Sequence, residues 1–204
     1  MSKGFLLIIS GPAGTGKGTV CKELLNRNSN IVFSVSATTR QPRIGELDGE
    51  NYYFIDKEKF ESMIGNNEFL EYAYVHTNYY GTPRKFVMDE IEKGEIVLLE
   101  IDVQGAMQIK KNYSEAVFIF LLPPTMEELK NRIIKRGTES TEDINRRFEN
   151  AFKELDFVGN YDYFVVNDIV EDAVLDIESI IRAEKLRVKR QSRIKEKVLA
   201  KGGR

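Results

Sequence analysis

Nine residues near the N-terminus carry the strongest chemical signal in the chain: Gly11-Pro12-Ala13-Gly14-Thr15-Gly16-Lys17-Gly18-Thr19. Repeated glycines let a loop wrap until several backbone N–H groups converge on one point, and a helix opening at its end adds partial positive charge. Lys17 supplies a full charge for the outer phosphates of a nucleoside triphosphate. An ordinary glycine-rich turn has no need of a strand before it and a lysine and helix after it, so the stretch reads as a phosphate cradle. The common pattern places Ser or Thr directly after the lysine, to hold Mg²⁺. Here Gly18 fills that slot and the hydroxyl comes one residue later, at Thr19. Contact with the metal through water is therefore as good a reading as direct ligation.

Other residues have chemistry that depends on where the fold puts them. Glu100 and Asp102 stand two apart at the end of an apolar run, so both side chains lie on one face of a strand. Carboxylates at such a strand end suit metal-bound water, two solvated acids being the plainer alternative. Arg40 and Arg43 are candidates for a fork on a phosphate dianion, or a solvated basic loop. Arg132, Arg136 and Arg147 lie in a polar stretch where a charged helix face is the competing reading. The single histidine, His76, sits in a strand-like segment where a structural role is expected.

These residues need a scaffold, and the apolar pattern supplies one. Phe5 to Ser10, Ile96 to Ile101, Val117 to Leu122 and the shorter Tyr163 to Val166 have the length and branching of buried parallel strands. Helical periodicity follows each: Gly18 to Leu25, Gly105 to Lys111, Met126 to Lys135, and Glu171 to Arg187. The alternation predicts an α/β fold with a parallel sheet covered on both faces. Thr125 and Glu128 have capping-box spacing at the third helix. Residues 31–80 change texture to short alternating segments (Phe33 to Ser36, Tyr52 to Ile55, Leu70 to Val75) around one helix, Lys57 to Ile64. They read as a small mixed-sheet insertion. Lys135 to Arg147, polar and rich in Arg, Glu and Thr, reads as a flap.

Composition narrows the class. The 204 residues carry a net charge of only −2, with 42% hydrophobic and 30% charged residues, as in a soluble globular domain. From Arg182 onward there are 10 basic and 2 acidic residues, leaving −10 on the remainder. With no interleaved aromatics, that tail reads as a solvated helix end rather than a nucleic-acid surface. One cysteine, Cys21, allows no internal disulfide and fits a reducing compartment; its apolar helical neighbours predict a buried thiol. No apolar run approaches the ~18 residues of a membrane span. The expectation is a cytoplasmic protein with no membrane or nucleic-acid partner.

The insertion makes the reading specific. Thr38-Thr39-Arg40-Gln41-Pro42-Arg43-Ile44-Gly45-Glu46, followed by Gly49-Glu50-Asn51-Tyr52-Tyr53-Phe54, closely resembles the signature of the guanylate kinase family. Phe69-Leu70-Glu71-Tyr72, Asn78-Tyr79-Tyr80-Gly81-Thr82, Glu100-Ile101-Asp102-Val103-Gln104-Gly105 and Arg136-Gly137-Thr138 continue the likeness, to about Lys185. The resemblance implies a P-loop kinase with a parallel core sheet flanked by helices (1–34, 86–125 and 157–204), a mixed α/β GMP-binding insertion (35–85) and a helical lid (126–156). It implies transfer of a phosphoryl group from ATP, with Mg²⁺, to GMP or dGMP, by a monomer or homodimer.

Site roles follow from the same resemblance. ATP belongs to Gly11, Pro12, Ala13, Gly14, Thr15, Gly16, Lys17, Gly18 and Thr19, with Asn167 beside the adenine. GMP belongs to Ser36, Arg40, Arg43, Tyr52, Glu71, Tyr80, Thr82 and Asp102. Lys17, Arg40, Arg136 and Arg147 neutralise charge during transfer, and Thr19 and Glu100 are the metal candidates. Guanine presents two adjacent donors that one carboxylate, Glu71, can accept; adenine would set a lone pair against it. Rivals are an adenylate or thymidylate kinase of the same fold, and a non-catalytic guanylate-kinase-like binding module. The intact lysine loop and the Glu71 match weigh against both.

Overall fold

Strands without a polar interruption must be covered on both faces, and the core strands here are. The computed structural model describes residues 3–75, 77–135, 141–191 and 199. Its main sheet contains β1 (Phe5–Ser10), β2 (Ile31–Phe33), β7 (Ile96–Glu100), β8 (Val117–Leu122) and β9 (Tyr163–Val166). They run parallel in the order β2-β7-β1-β8-β9. Alternation sorts the core into two halves. Leu7 and Ile9 pack with Val20 and Leu24 of α1 (Lys17–Arg27) and Ile177 of α7 (Val170–Leu186). Leu6 and Ile8 pack with Val87 and Ile91 of α3 (Arg84–Lys93) and Ile109 of α4 (Val103–Asn112).

Register places the site. Ile9 pairs with Glu100 across β1–β7, and Ser10 with Phe120 across β1–β8, so the glycine loop leaves β1 beside both neighbouring strand ends. The connection after β1 runs outward toward β2, and that after β7 runs the opposite way toward β8. The crevice between those ends is therefore the switch point where such sheets bind ligands.

A second sheet overhangs that crevice. It contains β3 (Ala37–Thr38), β4 (Tyr53–Phe54), β5 (Phe69–Val75) and β6 (Asn78–Pro83), in the order β4-β3-β6-β5. Helix α2 (Lys57–Gly65) buries Phe60 against it, stacked 4.4 Å from the ring of Phe69 and 5.0 Å from that of Tyr79. Asp56 caps α2 by accepting from Lys59 N at 2.7 Å. A helical pair, α5 (Met126–Lys135) and α6 (Thr141–Glu154), packs Leu129, Ile133, Ile144 and Ala151 together.

Three sequence expectations need correction. Ile31 to Phe33, grouped with the mixed-sheet insertion by texture but with the core (1–34) by the family resemblance, belongs to the parallel sheet, pairing with Ile96 to Leu98; three residues are too few to show a period. Helix α3 had no counterpart in the sequence reading, although Pro83 precedes it and Gly94 ends it at φ 97°. The flap's second half is helix α6, whose apolar stripe is masked by the surrounding charges. Residues 136–140, including Arg136, Gly137 and Thr138, lie outside the described residues, as does His76. Two local expectations hold: Glu128 N donates to Thr125 Oγ1 at 3.0 Å, and Cys21 is buried.

Candidate active site

The glycine loop closes over its own lysine. Lys17 Nζ donates to the carbonyls of Gly11 (2.5 Å) and Pro12 (3.1 Å), which fixes the ammonium inside the loop. Burial pulls its pKa below the usual lysine range, and the carboxylates of Glu100, Glu154 and Asp102 act against that shift. Gly16 caps α1 with φ 88°, and a Cβ there would come within 2.5 Å of Asn167 Nδ2. The same amide donates to Thr15 O at 2.7 Å, so Asn167 braces the loop from the end of β9. Arg132 extends the brace to α5, donating to Asn167 O at 3.0 Å and to Glu128 at 2.8 Å.

Opposite the loop lies a cleft of about 310 Å³ lined by Lys17, Ser36, Tyr52, Glu71, Tyr80, Glu100 and Asp102, among others. Seven residues singled out in the sequence thus share one cavity between the two sheets. Thr82 is buried beneath it and donates its hydroxyl to Glu71 Oε1 at 2.6 Å. Glu71 is 7% exposed. Burial, with Asp102 adding negative charge nearby, raises its pKa to about 7, against the pull of Thr82's hydroxyl and backbone N–H. Gly105 allows the close approach: a Cβ there would sit 3.0 Å from Glu71 Oε2.

Arg40 borders the cleft with its guanidinium 5.5 Å from the Tyr52 ring and 5.7 Å from that of Phe54. Glu46 holds it through two hydrogen bonds, and Tyr80 interacts with it from the cleft side. The Tyr52 and Tyr80 rings meet edge-on with centroids 6.0 Å apart.

Not every predicted residue converges. Arg43 is exposed and outside the cleft lining, and its backbone N–H bonds to Glu46. Arg147 lies half-buried on α6, also outside that lining. Thr19 is exposed on α1. Asp102 has a second job, capping α4 by accepting from Gly105 N at 2.8 Å. Two further residues escaped the sequence reading. Glu154, at the end of α6, is half-buried within electrostatic reach of Lys17, which lowers a pKa that burial raises. Tyr161 donates to Ser10 Oγ at 3.0 Å at the foot of the loop, its ring edge-on to Phe120. Neither carries a local motif; Glu46 stood inside one and was given no role.

The arrangement can hold two phosphate-bearing ligands head to head. One would sit on the loop and Lys17, the other between Arg40, Tyr52 and Tyr80 with its base against Glu71. Comparison with known proteins identifies the family. Residues 3–184 match the guanylate kinase family profile. The guanylate kinase of Clostridium tetani (strain Massachusetts / E88) is 61% identical over 98% of this chain and 94% of its own length. That of Clostridioides difficile (strain 630) is 56% identical over 95% of each. The crystal structure of guanylate kinase from Anaplasma phagocytophilum superposes with a TM-score of 0.78 at 39% identity, covering 96% of this chain and 93% of that one. With the signature, the fold and whole-length identity all in accord, the chain belongs to the guanylate kinase family.

Proposed function

We propose that this cleft transfers the γ-phosphoryl group of ATP to GMP, giving ADP and GDP. The observation that carries the reading is Glu71: a buried carboxylate, held by Thr82, facing the same cavity as Lys17. A carboxylate in that place accepts the N1 and 2-amino hydrogens of guanine and rejects adenine.

Within this reading the donor occupies Gly11 to Thr19 with Asn167 behind it. The acceptor occupies Ser36, Arg40, Arg43, Tyr52, Glu71, Tyr80, Thr82 and Asp102. The attacking atom is a phosphate oxygen of GMP, ionised at neutral pH, so no strong general base is needed. It bonds to the γ-phosphorus as the bond to the β–γ bridging oxygen breaks, and ADP leaves with that electron pair. Lys17 stabilises the charge that builds on the transferred group, and Arg40 fixes the acceptor phosphate in line. Arg136 and Arg147 belong to a lid, residues 126–156, that closes over the reaction. Of the two metal candidates, Glu100 fits a hard cation, its carboxylate standing at the strand end in the cleft beside Lys17; Thr19 is exposed on α1 and would reach the cation only through water. When bound beside Glu100, Mg²⁺ would offset the charge of the phosphates.

Donor residues lie on the core (1–34, 86–125, 157–204) and most acceptor residues on the insertion (35–85). Closure of one on the other is how water is kept from the γ-phosphate. All the proposed residues come from one copy of the chain, so a monomer or homodimer suffices, working in the cytoplasm where both nucleotides are found. Among the described residues, no helix is long and apolar enough to cross a membrane.

A coupled assay of ADP release from ATP with GMP, AMP, UMP and dTMP in turn tests the reading. GMP should be strongly preferred. Comparable turnover of AMP or a pyrimidine nucleotide would overturn it.

A further inference from the structure

Position 18 is where the phosphate loop departs from the common pattern, and one side chain stands opposite it. A Cβ built on Gly18 would lie 3.6 Å from Oε2 and 3.7 Å from Oε1 of Glu100, ordinary contact with both oxygens of a single carboxylate. Apart from its chain neighbours and the backbone of its own helix, nothing else lies within 4 Å of it. Glu100 therefore faces the space into which a serine or threonine hydroxyl at position 18 would project. The sheet fixes this meeting: Glu100 pairs with Ile9 at the end of β1, and the loop after β1 folds back to begin α1 over the same strand end.

Backbone demands do not account for the glycine. Gly18 is not among the residues with left-handed φ, and no main-chain atom beyond its own helix and chain neighbours would crowd its Cβ. Alanine, serine or threonine would fit the backbone as it stands. What a larger residue would change is the space in front of Glu100. Thr19 does not replace the missing hydroxyl at the same place, because the next residue on a helix points about 100° away, and Thr19 is exposed.

We propose that Gly18 and Glu100 form a matched pair, in which the carboxylate takes both the space and the metal-facing role of the hydroxyl that the loop lacks. The proposal rests on the loop being the ATP site. Its chemistry is that of a hard oxygen donor for a hard cation, with a full negative charge where the common pattern has a neutral hydroxyl. Three consequences follow for variants. Serine at 18 alone puts a hydroxyl against Glu100, where it donates to the carboxylate and blunts it. Aspartate at 100 alone withdraws the carboxylate by one methylene and leaves the space unfilled. The two changes together restore a hydroxyl with a shorter acid behind it.

The test measures ATP binding by calorimetry, with Mg²⁺ and with EDTA, for wild type, Gly18→Ser, Glu100→Asp and the double variant. The readout is the gain in affinity that Mg²⁺ brings; binding in EDTA reports an intact fold and loop. Each single change should cut the gain about fivefold or more, and the double variant should recover most of it, a coupling that neighbours in one site show. The proposal fails if Glu100→Asp leaves the gain unchanged, or if the two losses add in the double variant. GMP-dependent ADP release by the wild type stands apart from this outcome. A chain that phosphorylates GMP while its Mg²⁺ gain ignores positions 18 and 100 loses only the pairing.

Discussion

Glu46 grips Arg40 with both oxygens: each guanidinium terminal nitrogen donates to one of them at 2.9 Å, and Oε2 also accepts the backbone N–H of Arg43 at 2.7 Å. The side chains are 15% and 19% exposed, so the pair is partly shielded. Arg40, with help from the Arg43 N–H, holds the Glu46 carboxyl below the usual glutamate range. The clamp fixes the outer edge of the fork and leaves its inner edge toward Tyr80 and the cleft. Glu46→Gln would set an amide N–H₂ against a guanidinium N–H. The KM for GMP should rise about fivefold or more while kcat changes less, because positioning of the acceptor is lost and the donor side is untouched. Glu46→Asp should recover part of the loss. Steady-state kinetics in GMP decides it; an unchanged or lowered KM would show that Glu46 competes with phosphate rather than preparing for it.

Glu71 sets up an opposition between reading guanine and stability. Its folded pKa of about 7 lies above the ordinary glutamate value of 4.5. Between those two values the unfolded chain binds fewer protons than the folded one, so this group's contribution to stability is full below about pH 4.5 and falls away as pH rises to 7. Above pH 7 the buried charge costs on the order of 3 kcal/mol. Glu71→Gln should therefore raise Tm at pH 8 and do so much less at pH 5. A thermal melt at the two pH values tests this, and equal shifts at both would count against it.

The same carboxyl predicts the pH dependence of recognition. GMP needs the ionised form, so kcat/KM for GMP should fall as pH drops below 7, by up to about tenfold per unit. The phosphate of GMP titrates nearby, and Asp102 faces Glu71. The comparison is therefore with Glu71→Gln, which keeps those groups and lacks this one. The variant should have a shallower profile, with its preference for GMP over AMP reduced about tenfold or more, since an amide donor now opposes a guanine donor. Parallel profiles with an unchanged preference would remove Glu71 from base reading.

What the sequence makes legible follows from how local the signal is. Lys17 and its glycines announce themselves because strand, loop and helix are contiguous, and the buried strands because β1 and β8 are apolar throughout. Asp102 was legible as an acid at a strand end, but its capping of α4 shows only in the fold. Tyr161 and Glu154 reach the phosphate loop from more than 130 residues away, through packing that no spacing records. The edge strand Ile31 to Phe33 was too short to declare its sheet; only its pairing with β7 does so.

Lys17→Met should abolish turnover with the fold intact. The ammonium's bonds in this structure go to the loop's own carbonyls, Gly11 O and Pro12 O, so they must be exchanged for phosphate oxygens when ATP binds. Its charge counts most when the γ-phosphoryl group is in flight. Retention of more than about a tenth of wild-type kcat, a loss under ~1.4 kcal/mol, would remove it from that role.

The last prediction concerns a charge cluster remote from the cleft. Glu184, on the last turns of α7, is 1% exposed. It accepts from Tyr163 Oη at 2.8 Å, Arg187 at 3.0 Å and Arg190 at 2.9 Å. Arg190 continues outward, its guanidinium 4.5 Å from the Phe5 ring and donating to Glu115 O at 3.2 Å. One buried carboxylate thus ties β9, β1 and the segment before β8 to the residues that follow α7. Removing it strands the guanidinium of Arg190, 11% exposed, and a tyrosine hydroxyl, while the half-exposed Arg187 turns to water; breaking a buried pair from one side costs about 3 kcal/mol. For a chain of this length that is roughly 6–12 °C in Tm. Glu184→Ala should show that loss while kcat/KM for GMP at 25 °C stays near wild type, because none of these groups lines the cleft. Glu184→Gln, which keeps the hydrogen-bond acceptor and drops the charge, should fall between the two. Calorimetric melts of the three proteins decide the matter. A Tm within 2 °C of wild type for Glu184→Ala, below the shift of a single kcal/mol, would mean that the cluster is a solvated surface network and not an anchor.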